Sequence, residues 1–399
     1  MGIRTKLCPM GGGGGKKKYK AYIASFGRFI DVSTLGFTEE IDPDKTFCSN
    51  DLFPNDSNYD KYNSNLVVLN GKLYVFDGGY TTASLIRIGS LSNWTYITGI
   101  CLSDDPTDEI GYGIAGGKLY RINNASSTTL IDDLYTWLSI SGFKPNSGFR
   151  YYCNFGIVLD NSTKRCARVN NSNSSLIISV DEFHPGTSVV VGQFGEKTNG
   201  GGIYVGYMLV DNGGFLYLIS DSNISLVTSN CNSISCGSKL YSSSKPLCSF
   251  IVNGENTLYG VCGGSLSSNY VAGKWTKISG WASPTTSSHG EQYALGIDDG
   301  VLNFLALSRA DTSSFRISTY KYTDYSVPVT GWTDVCGSLF NATFFDRPAL
   351  GIRNGNLYKI FGFNPETGGL IEETDLTRCV KIYGQDNYDY GIGLVICEN

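Results

Sequence analysis

The sequence predicts an all-β fold, and three observations lead to that prediction. Short runs rich in Val, Ile, Leu and Tyr flank turns of the Asn-Gly, Asp-Gly or Gly-Gly type, which are typical of β-hairpins because the turn residues need positive φ. One phrase recurs at a period of about 45 residues, which indicates a repeated four-stranded unit. The chain has 49 Gly and 26 Tyr but only 17% charged residues, a composition that favours short strands over amphipathic helices.

The repeated phrase is a strand of small residues followed by a turn and a Gly-x-Leu-Tyr step. Its clearest copies cover residues 112–120 and 350–358. A unit that has lost the Leu-Tyr pair covers residues 156–168. The other units keep the step or a degenerate form of it, which makes seven units in all, and their leucines are Leu73, Leu119, Leu216, Leu258, Leu302 and Leu357.

Each unit carries its own hairpin signal. Residues 68–75, 208–217 and 294–302 place apolar runs on either side of an Asn-Gly, Asn-Gly-Gly or Asp-Gly turn. Four-stranded units remove the problem of exposed strand edges by closing into a ring. We therefore expect a β-propeller of seven blades, each of about 45 residues, that closes near the termini.

The domain boundaries follow from the same pattern. Residues 1–18 are predicted to be a flexible Gly/Lys-rich arm, and residues 19–399 the propeller, with repeats clearest over 66–384. A ring of blades distributes its core, so a domain of this length needs no division. The apolar segment 390–397 follows the seventh unit, and we expect it to pair beside the strand near residues 19–30 and join the two ends.

A second signature, Trp-x-x-Ile-x-Gly, begins several units. Four of the five Trp in the chain occupy its first position, and residues 379–384 form a weaker copy. A large ring at a fixed position is expected to pack between adjacent blades, whereas the functional alternative is a ligand surface of exposed rings. The residues assigned to this structural repeat are Trp94, Trp137, Trp275 and Trp332, with the Leu-Tyr tyrosines Tyr74, Tyr120, Tyr217, Tyr259 and Tyr358.

Together these signatures resemble tectonin-type and RCC1-like propeller repeats over about residues 66–384. The resemblance implies a β-propeller, and because those families include lectins, exchange factors and scaffolds, it implies no single activity. The Gln-Leu-Gly step of RCC1 repeats is missing here. The Gly doublets at residues 78–79 and 263–264 are similar to those of kelch repeats, but the kelch Tyr and Trp spacing is not kept.

The N-terminal arm carries five consecutive Gly and then Lys16, Lys17 and Lys18. It has no apolar stretch of signal-peptide length, and Lys17 stands where a phosphate-binding P-loop requires Ser or Thr. Residues 1–11 resemble the starts of bacteriophage tail and fibre proteins. That resemblance implies a virion location after synthesis in the host cytoplasm, with the three lysines in an attachment arm for other virion proteins.

Charge and cysteine usage exclude further classes of partner. With a net charge of −5 and no basic cluster beyond the N-terminus, the chain lacks the cationic face that nucleic acid requires. No membrane insertion is expected either. The 12 Cys form no Cys-x-x-Cys pair, so we expect reduced thiols that pack as small apolar residues. Cys231 and Cys236 are close in sequence and are the main candidates for an exception to the reduced state.

Catalytic and metal chemistry find little support in the sequence. His184 and His289 lie in separate predicted loops without a second ligand at metal spacing, so we expect no metal or other cofactor. Glycoside hydrolysis, the enzymatic alternative, needs two carboxylates about 5 to 10 Å apart, but the box typical of sialidase propellers is absent. The adjacent carboxylates, most of them in predicted turns, are Asp104–Asp105, Asp108–Glu109, Asp132–Asp133, Asp298–Asp299 and Glu372–Glu373.

Binding is the function that the sequence favours. Loops rich in Tyr, Asn, Ser and Gly suit protein or carbohydrate surfaces, because Tyr offers a flat face and a hydroxyl at low entropy cost. The sequence therefore predicts a non-catalytic bacteriophage virion structural protein, multimeric in its assembly, that binds a host surface protein or glycan; a propeller glycoside hydrolase or a soluble lectin is the alternative. The candidate binding residues are Tyr59, Tyr62, Tyr320, Tyr322, Tyr325, Tyr388 and Tyr390.

Overall fold

The structure is a computed structural model, and it is almost entirely β. One short 3₁₀ helix, Val32–Leu35, is the only helix within the described residues, and none there could span a membrane. The described residues are 17–25, 28–48, 66–78, 82–97, 109–123, 127–141, 154–160, 163–170, 173–178, 189–190, 206–210, 214–219, 224–234, 238–239, 247–262, 265–282, 292–309, 315–321, 330–336, 349–364, 368–384 and 392–399.

The strands are short, and their bounds are as follows in chain order. The first half of the chain contains β1 (Tyr19–Ser25), β2 (Arg28–Asp31), β3 (Phe47–Cys48), β4 (Leu66–Leu69), β5 (Lys72–Gly78), β6 (Ala83–Arg87), β7 (Trp94–Ile97), β8 (Glu109–Ala115), β9 (Lys118–Asn123), β10 (Ser127–Asp132), β11 (Thr136–Ser141), β12 (Asn154–Asp160), β13 (Thr163–Asn170), β14 (Asn173–Ile178) and β15 (Val189–Val190). The second half contains β16 (Gly206–Val210), β17 (Phe215–Ile219), β18 (Ile224–Thr228), β19 (Ser233–Ile234), β20 (Ser238–Lys239), β21 (Leu247–Val252), β22 (Leu258–Cys262), β23 (Ser265–Val271), β24 (Trp275–Ala282), β25 (Gln292–Asp298), β26 (Val301–Arg309), β27 (Phe315–Lys321), β28 (Trp332–Cys336), β29 (Ala349–Arg353), β30 (Asn356–Asn364), β31 (Gly368–Glu373), β32 (Cys379–Gly384) and β33 (Gly393–Glu398).

Within the described residues these strands form eight antiparallel sheets. Seven are built from consecutive strands, and each corresponds to one predicted repeat unit. They are sheet 1 (β3 to β6), sheet 2 (β7 to β10), sheet 3 (β11 to β14), sheet 4 (β15 to β18), sheet 5 (β19 to β23, with β20 beside β21), sheet 6 (β24 to β27) and sheet 7 (β28 to β31). Sheet 8 has the order β2-β1-β33-β32 and so combines strands from both ends of the described chain.

Sheet 8 makes the number of sheets one larger than the seven predicted units. The last strand, β33, pairs antiparallel with β1 from Tyr19 opposite Glu398 to Ala24 opposite Gly393. The pairing expected for the C-terminal segment is therefore present. The repeat count missed this sheet because its strands come from opposite ends of the sequence, so no contiguous copy of the phrase encodes it.

The hairpin turns follow the sequence prediction. Asn70 and Gly71 have φ of 51° and 75°, and Asn354 and Gly355 have φ of 49° and 82°. Positive φ at both central residues defines the turn whose twist matches that of the flanking strands, and Asn and Gly reach it at little steric cost. The Asn-Gly turns therefore set the register of the strands on either side.

Neighbouring sheets pack on each other through buried apolar side chains. In chain order, sheet 1 packs on sheet 2, sheets 2 to 5 share one continuous cluster, sheet 5 packs on sheet 6, sheet 6 on sheet 7 and sheet 7 on sheet 8. Sheet 8 packs in turn on sheet 1, where Ile23 and Leu394 lie in one cluster with Val67 and Phe76. The packing order thus returns to the sheet with which it began.

The four signature tryptophans lie at these sheet boundaries, each at most 3% exposed. The backbone N–H of each donates to a carbonyl in the hairpin turn of the preceding sheet, at 2.8 to 3.0 Å. Cys231 and Cys379 make the same bond to Gly214 and Gly355, both at 2.7 Å. We call these six the junction residues: Trp94, Trp137, Cys231, Trp275, Trp332 and Cys379.

A glycine lies beneath each junction tryptophan. A Cβ placed on Gly113, Gly156, Gly296 or Gly351 would lie 2.5 to 2.7 Å from the Cζ3 atom of the ring. The strand that bears the ring shifts register by one residue directly after it, as a β-bulge does. The Trp signature and the small-residue strand are therefore two halves of one contact.

Candidate binding groove

The structure describes little of the predicted binding surface. Tyr320 lies in β27, opposite Phe304 of β26. The other candidates lie outside the described residues: Tyr59, Tyr62, Tyr322, Tyr325, Tyr388 and Tyr390. The same holds for Lys16 of the arm and for His184 and His289. The predictions made for these residues stand as predictions.

The structural-repeat tyrosines all lie in described strands. Tyr120 packs on Trp94 with ring centroids 5.7 Å apart, and Tyr358 packs on Trp332 at 5.3 Å. Tyr74 meets Phe37 edge to face at 5.9 Å. The remaining two contact aromatic neighbours, Tyr217 with Phe215 at 6.3 Å and Tyr259 with Tyr270 at 5.5 Å.

The carboxylate pairs that the structure describes have structural partners. Asp132 is buried and accepts from Trp137 Nε1 at 2.7 Å, while Asp133 pairs with Lys118. Asp298 accepts from the N–H of Lys274 at 2.6 Å, Asp299 pairs with Lys274, and Glu373 accepts from Asn356. Asp104, Asp105 and Asp108 lie outside the described residues, and Glu109 begins β8. Within the described ranges no group of three or more His, Cys, Asp or Glu could hold a metal ion.

A groove of about 450 Å³ lies beside β1 in sheet 8. One wall is the first half of β1 with Lys18 before it, and the other is the chain that follows β2, from Asp31 to Ile41. The groove exists because β2 is shorter than β1. β2 pairs with β1 only from Tyr22 to Ser25, which leaves residues 19–21 without a strand on that side.

The hydrogen bonds between β1 and β33 show which backbone groups of β1 face the groove. The N–H of Asn399 donates to the carbonyl of Lys18 at 2.8 Å, so residue 18 and, by alternation, residue 20 direct their backbone groups at β33. Tyr19 and Ala21 then direct theirs at the groove. The Tyr22–Asp31 pair is a non-hydrogen-bonded one, so its flanking bond runs from the N–H of Val32 to the carbonyl of Ala21. The N–H and C=O of Tyr19 and the N–H of Ala21 thus line the groove without a strand partner.

The opposite wall is held by a short helix and its caps. The Asp31 carboxylate accepts from the N–H of Ser33 at 2.8 Å, an N-cap contact. Gly36 ends the helix with φ of 90°, a left-handed value at which glycine carries no Cβ penalty. Phe37 then turns inward and is 7% exposed.

Asn70, in the first hairpin turn of sheet 1, holds the segment that follows Phe37. Its Nδ2 donates to the carbonyl of Glu40 at 2.8 Å, and its Oδ1 accepts from the N–H of Asp42 at 2.8 Å. Glu39 forms an ion pair with Lys72 and accepts a hydrogen bond from it. That hydrogen bond holds the pKa of Glu39 below its usual value. The wall is therefore fixed to sheet 1 while the β1 edge belongs to sheet 8.

The two faces of the β1 edge differ in chemistry. Lys18 and Lys20 are exposed on one face, whereas Ala21 is fully buried on the other face and Tyr19 is half-buried. Lys17 is already bound by Glu398 at 2.8 Å, which raises its pKa. Neither Lys18 nor Lys20 has an ion pair within the described residues. The edge therefore combines free backbone groups, a cationic face and an apolar face.

Sequence reasoning missed this groove because it depends on the relative lengths of β1 and β2. A local signal did exist, since Asp31 before Val-Ser-Thr and Gly36 after Leu35 are typical of a capped helical turn. Such a turn soon after β2 indicates that this edge strand ends early.

Comparisons with known proteins do not assign the chain to a family. No protein-family profile matches it, and no curated protein matches it either. Among solved structures, a crystal structure of BBS1N in complex with ARL6DN, soaked with mercury, is 13% identical with a TM-score of 0.40 and covers 78% of this chain and 87% of that chain. The calcium-binding protein regucalcin from Agrobacterium tumefaciens is 13% identical with a TM-score of 0.32, over 72% of this chain and 92% of that chain. AztD from Citrobacter koseri is 9% identical with a TM-score of 0.34, over 92% of this chain and 73% of that chain. Likeness at this level says nothing about what this chain binds.

Proposed function

We propose that this protein is a non-catalytic binding protein that receives an extended segment of a partner protein along the free edge of β1. The observation that carries the proposal is the strand edge at residues 19–21, where the N–H and C=O of Tyr19 and the N–H of Ala21 face the groove without a strand partner. An extended segment can add to such an edge as a further strand, with main-chain hydrogen bonds for affinity and alternate side chains for specificity.

The scaffold in this proposal is a closed β-propeller of eight blades. Its support is the packing order, which runs from sheet 1 to sheet 8 and back to sheet 1. A closed ring suits a binding role because the positions of its edges and loops are held by neighbours on both sides. The groove lies at the one sheet that both ends of the described chain share.

The chemistry of the edge specifies the partner segment. A strand beside residues 19–21 needs only three or four residues, about 10 to 13 Å of extended chain. The side chain opposite Lys20 lies on the cationic face, so a carboxylate is favoured there. The side chains opposite Tyr19 and Ala21 lie on the face that packs toward sheet 1, so apolar residues are favoured. The expected partner is an extended segment in which acidic and apolar residues alternate.

Binding of short peptides tests the proposal. The full-length chain would be titrated with fluorescent seven-residue peptides that alternate Asp with Val, alternate Lys with Val, or carry a central Pro within the Asp/Val pattern. We expect binding of the Asp/Val peptide, with the other two weaker by tenfold or more. Equal binding of all three, or no binding of any, contradicts the proposal.

A matched pair of variants separates backbone from side-chain effects. Tyr19→Ala removes the side chain and keeps the N–H, whereas Tyr19→Pro removes the N–H as well, at a strand start where Pro is tolerated. We expect Tyr19→Pro to bind the Asp/Val peptide about three- to tenfold more weakly than Tyr19→Ala, the effect of one hydrogen bond. Lys20→Glu should reverse the preference between the Asp and Lys peptides. If Tyr19→Pro and Tyr19→Ala bind alike and thermal unfolding shows both folded, the edge is not the binding site.

The setting proposed for this activity is a bacteriophage virion, in which the partner is another virion protein or a host surface protein. Its support is the resemblance of residues 1–11 to tail and fibre proteins. Mass spectrometry of purified particles tests it. A fixed copy number in multiples of three, five or six supports a structural role, and absence from particles removes the virion setting without affecting the peptide titration.

A further inference from the structure

Sheet 8 contains two cysteines that lie directly opposite each other. Cys379 is the first residue of β32, Cys397 is near the end of β33, and the two are register partners. Both are free thiols, each 5% exposed. They lie in the same apolar cluster, which joins sheet 8 to sheet 7.

The hydrogen bonds around the pair define its geometry. The N–H of Glu398 donates to the carbonyl of Arg378 at 2.8 Å, and the N–H of Cys379 donates away from β33, to Gly355. Bonds between the flanking residues, with none between the opposed ones, mark a non-hydrogen-bonded pair. In such a pair the Cα atoms are about 4.5 Å apart and the side chains lie closest, a separation within the range that a disulfide spans.

We infer that Cys379 and Cys397 are a reversible oxidation site, in which peroxide converts the two thiols into a disulfide between β32 and β33. The two thiols already contact each other through a side-chain hydrogen bond. Each thiol side chain retains a small exposed fraction of 5%.

The hydrogen bond makes the two sulfurs unequal. It lowers the pKa of Cys397, and together with burial it raises the pKa of Cys379. The hydrogen bond therefore favours Cys397 over Cys379 as the attacking thiolate, since the thiolate is the effective nucleophile.

The reaction balances with hydrogen peroxide as the oxidant. The Cys397 thiolate sulfur attacks one peroxide oxygen, the O–O bond breaks to give a sulfenic acid at Cys397, and the departing hydroxide takes up the proton that the Cys397 thiol released and leaves as water. The Cys379 sulfur then attacks the Cys397 sulfur, the S–O bond breaks, and the departing oxygen leaves as water with the Cys379 proton. Two thiols lose two electrons in total, and the peroxide is reduced to two molecules of water.

Oxidation would act on the strand that backs the groove. Cys397 is the register partner of Cys379 on one side and of Lys20 on the other. A covalent bond between β32 and β33 restricts the unfolded chain and holds β33 against loss from the sheet. Oxidation therefore holds β33, the strand that pairs with β1, in the sheet. This effect does not depend on what the groove binds.

Peptide mapping of the intact chain tests the inference. The protein would be treated with a small molar excess of peroxide, alkylated in denaturant and digested with trypsin. Cleavage after Arg378 and Lys381 separates residues 379–381 from 382–399, so the disulfide yields these two peptides joined and lighter by two hydrogen atoms, and reduction separates them. We expect this linked species and a rise in Tm that reduction reverses.

Matched variants complete the experiment. Cys379→Ala and Cys397→Ala should each abolish the peroxide-induced rise in Tm, whereas Cys166→Ala should retain it, since Cys166 is fully buried and its thiol pKa is raised to about 12 by burial alone. Linkage of a different cysteine pair, or accumulation of a sulfinic acid at Cys397 without linkage, overturns the inference. Mapping of the wild-type chain decides the question even if a variant does not fold.

Discussion

Replacement of Gly296 by Ala tests the contact on which the sheet boundaries are built. The added Cβ would lie 2.7 Å from Cζ3 of Trp275 and 3.0 Å from Cδ1 of Leu305. The ring has no space into which it can retreat, because Trp275 is 1% exposed and its backbone N–H is bonded to the carbonyl of Asn256 at 3.0 Å. Overpacking of this kind costs about 2 to 3 kcal/mol. For a chain of this length that corresponds to a fall in Tm of about 2 to 4 °C.

A double-mutant cycle shows whether the ring causes the loss. Trp275→Leu alone should cost about 2 to 4 kcal/mol through lost burial. Once the ring is absent, the added methyl group has room, so the double variant should be more stable than the sum of the two single effects predicts, by at least about 1 kcal/mol. The assay is urea unfolding followed by far-ultraviolet circular dichroism, which does not depend on tryptophan fluorescence.

Gly300→Ala is the matched control in the same sheet. Gly300 has φ of 76°, and the nearest atom to its added Cβ is 3.4 Å away. Alanine is strained at this positive φ but does not contact the ring, so the loss of stability should be the same with and without Trp275. Strict additivity of Gly296→Ala and Trp275→Leu would refute the reasoning, as would a Gly296→Ala variant as stable as the wild type.

Three further predictions concern other parts of the fold. Asp132→Ala leaves the buried Nε1 of Trp137 without its acceptor and should lower the free energy of unfolding, measured in urea, by about 2 kcal/mol. Asp133→Asn, at the exposed neighbouring carboxylate, should change that free energy little. The pKa of Glu39 is lowered in the folded state by Lys72, so its contribution to stability is complete above the unfolded-state pKa and is lost as pH falls through the folded-state value. The wild type should therefore lose more stability than Glu39→Gln between about pH 5 and pH 3, and Lys72→Met should remove that difference. Deletion of residues 392–399 removes three fully buried side chains and the strand between β1 and β32, so it should cost more than about 5 kcal/mol; soluble yield and Tm equal to those of the wild type would show that sheet 8 contributes little.

The sequence was informative wherever the structure is local. The Asn70–Gly71 turn could be predicted because the chemistry of two adjacent residues determines it. The pairing of β33 with β1 could be predicted because an apolar strand remained after the last unit. The second prediction concerns a contact between opposite ends of the described chain, and it was reached by elimination rather than from a local pattern.

The features that were missed depend on contacts between distant segments. Cys231 occupies the same junction as the tryptophans, but the hydrogen bond there comes from the backbone, so the side chain need not be Trp and the signature disappears. The groove depends on where β2 ends relative to β1, which a repeat period does not encode. The tyrosine candidates lie mostly outside the described residues, so their role in binding remains a prediction.

The junction bond has a consequence for how this chain can change. Because the donor is a main-chain N–H and the acceptor is a carbonyl of the preceding hairpin, the six boundaries with a junction residue use the same connector whatever residue fills it. Trp275 and Cys379 are interchangeable as connectors, although they differ greatly in volume. A whole unit can therefore be duplicated or replaced by one of dissimilar sequence without a new kind of joint. In this chain the side chain at a junction can therefore change from Trp to Cys while the main-chain connector stays the same.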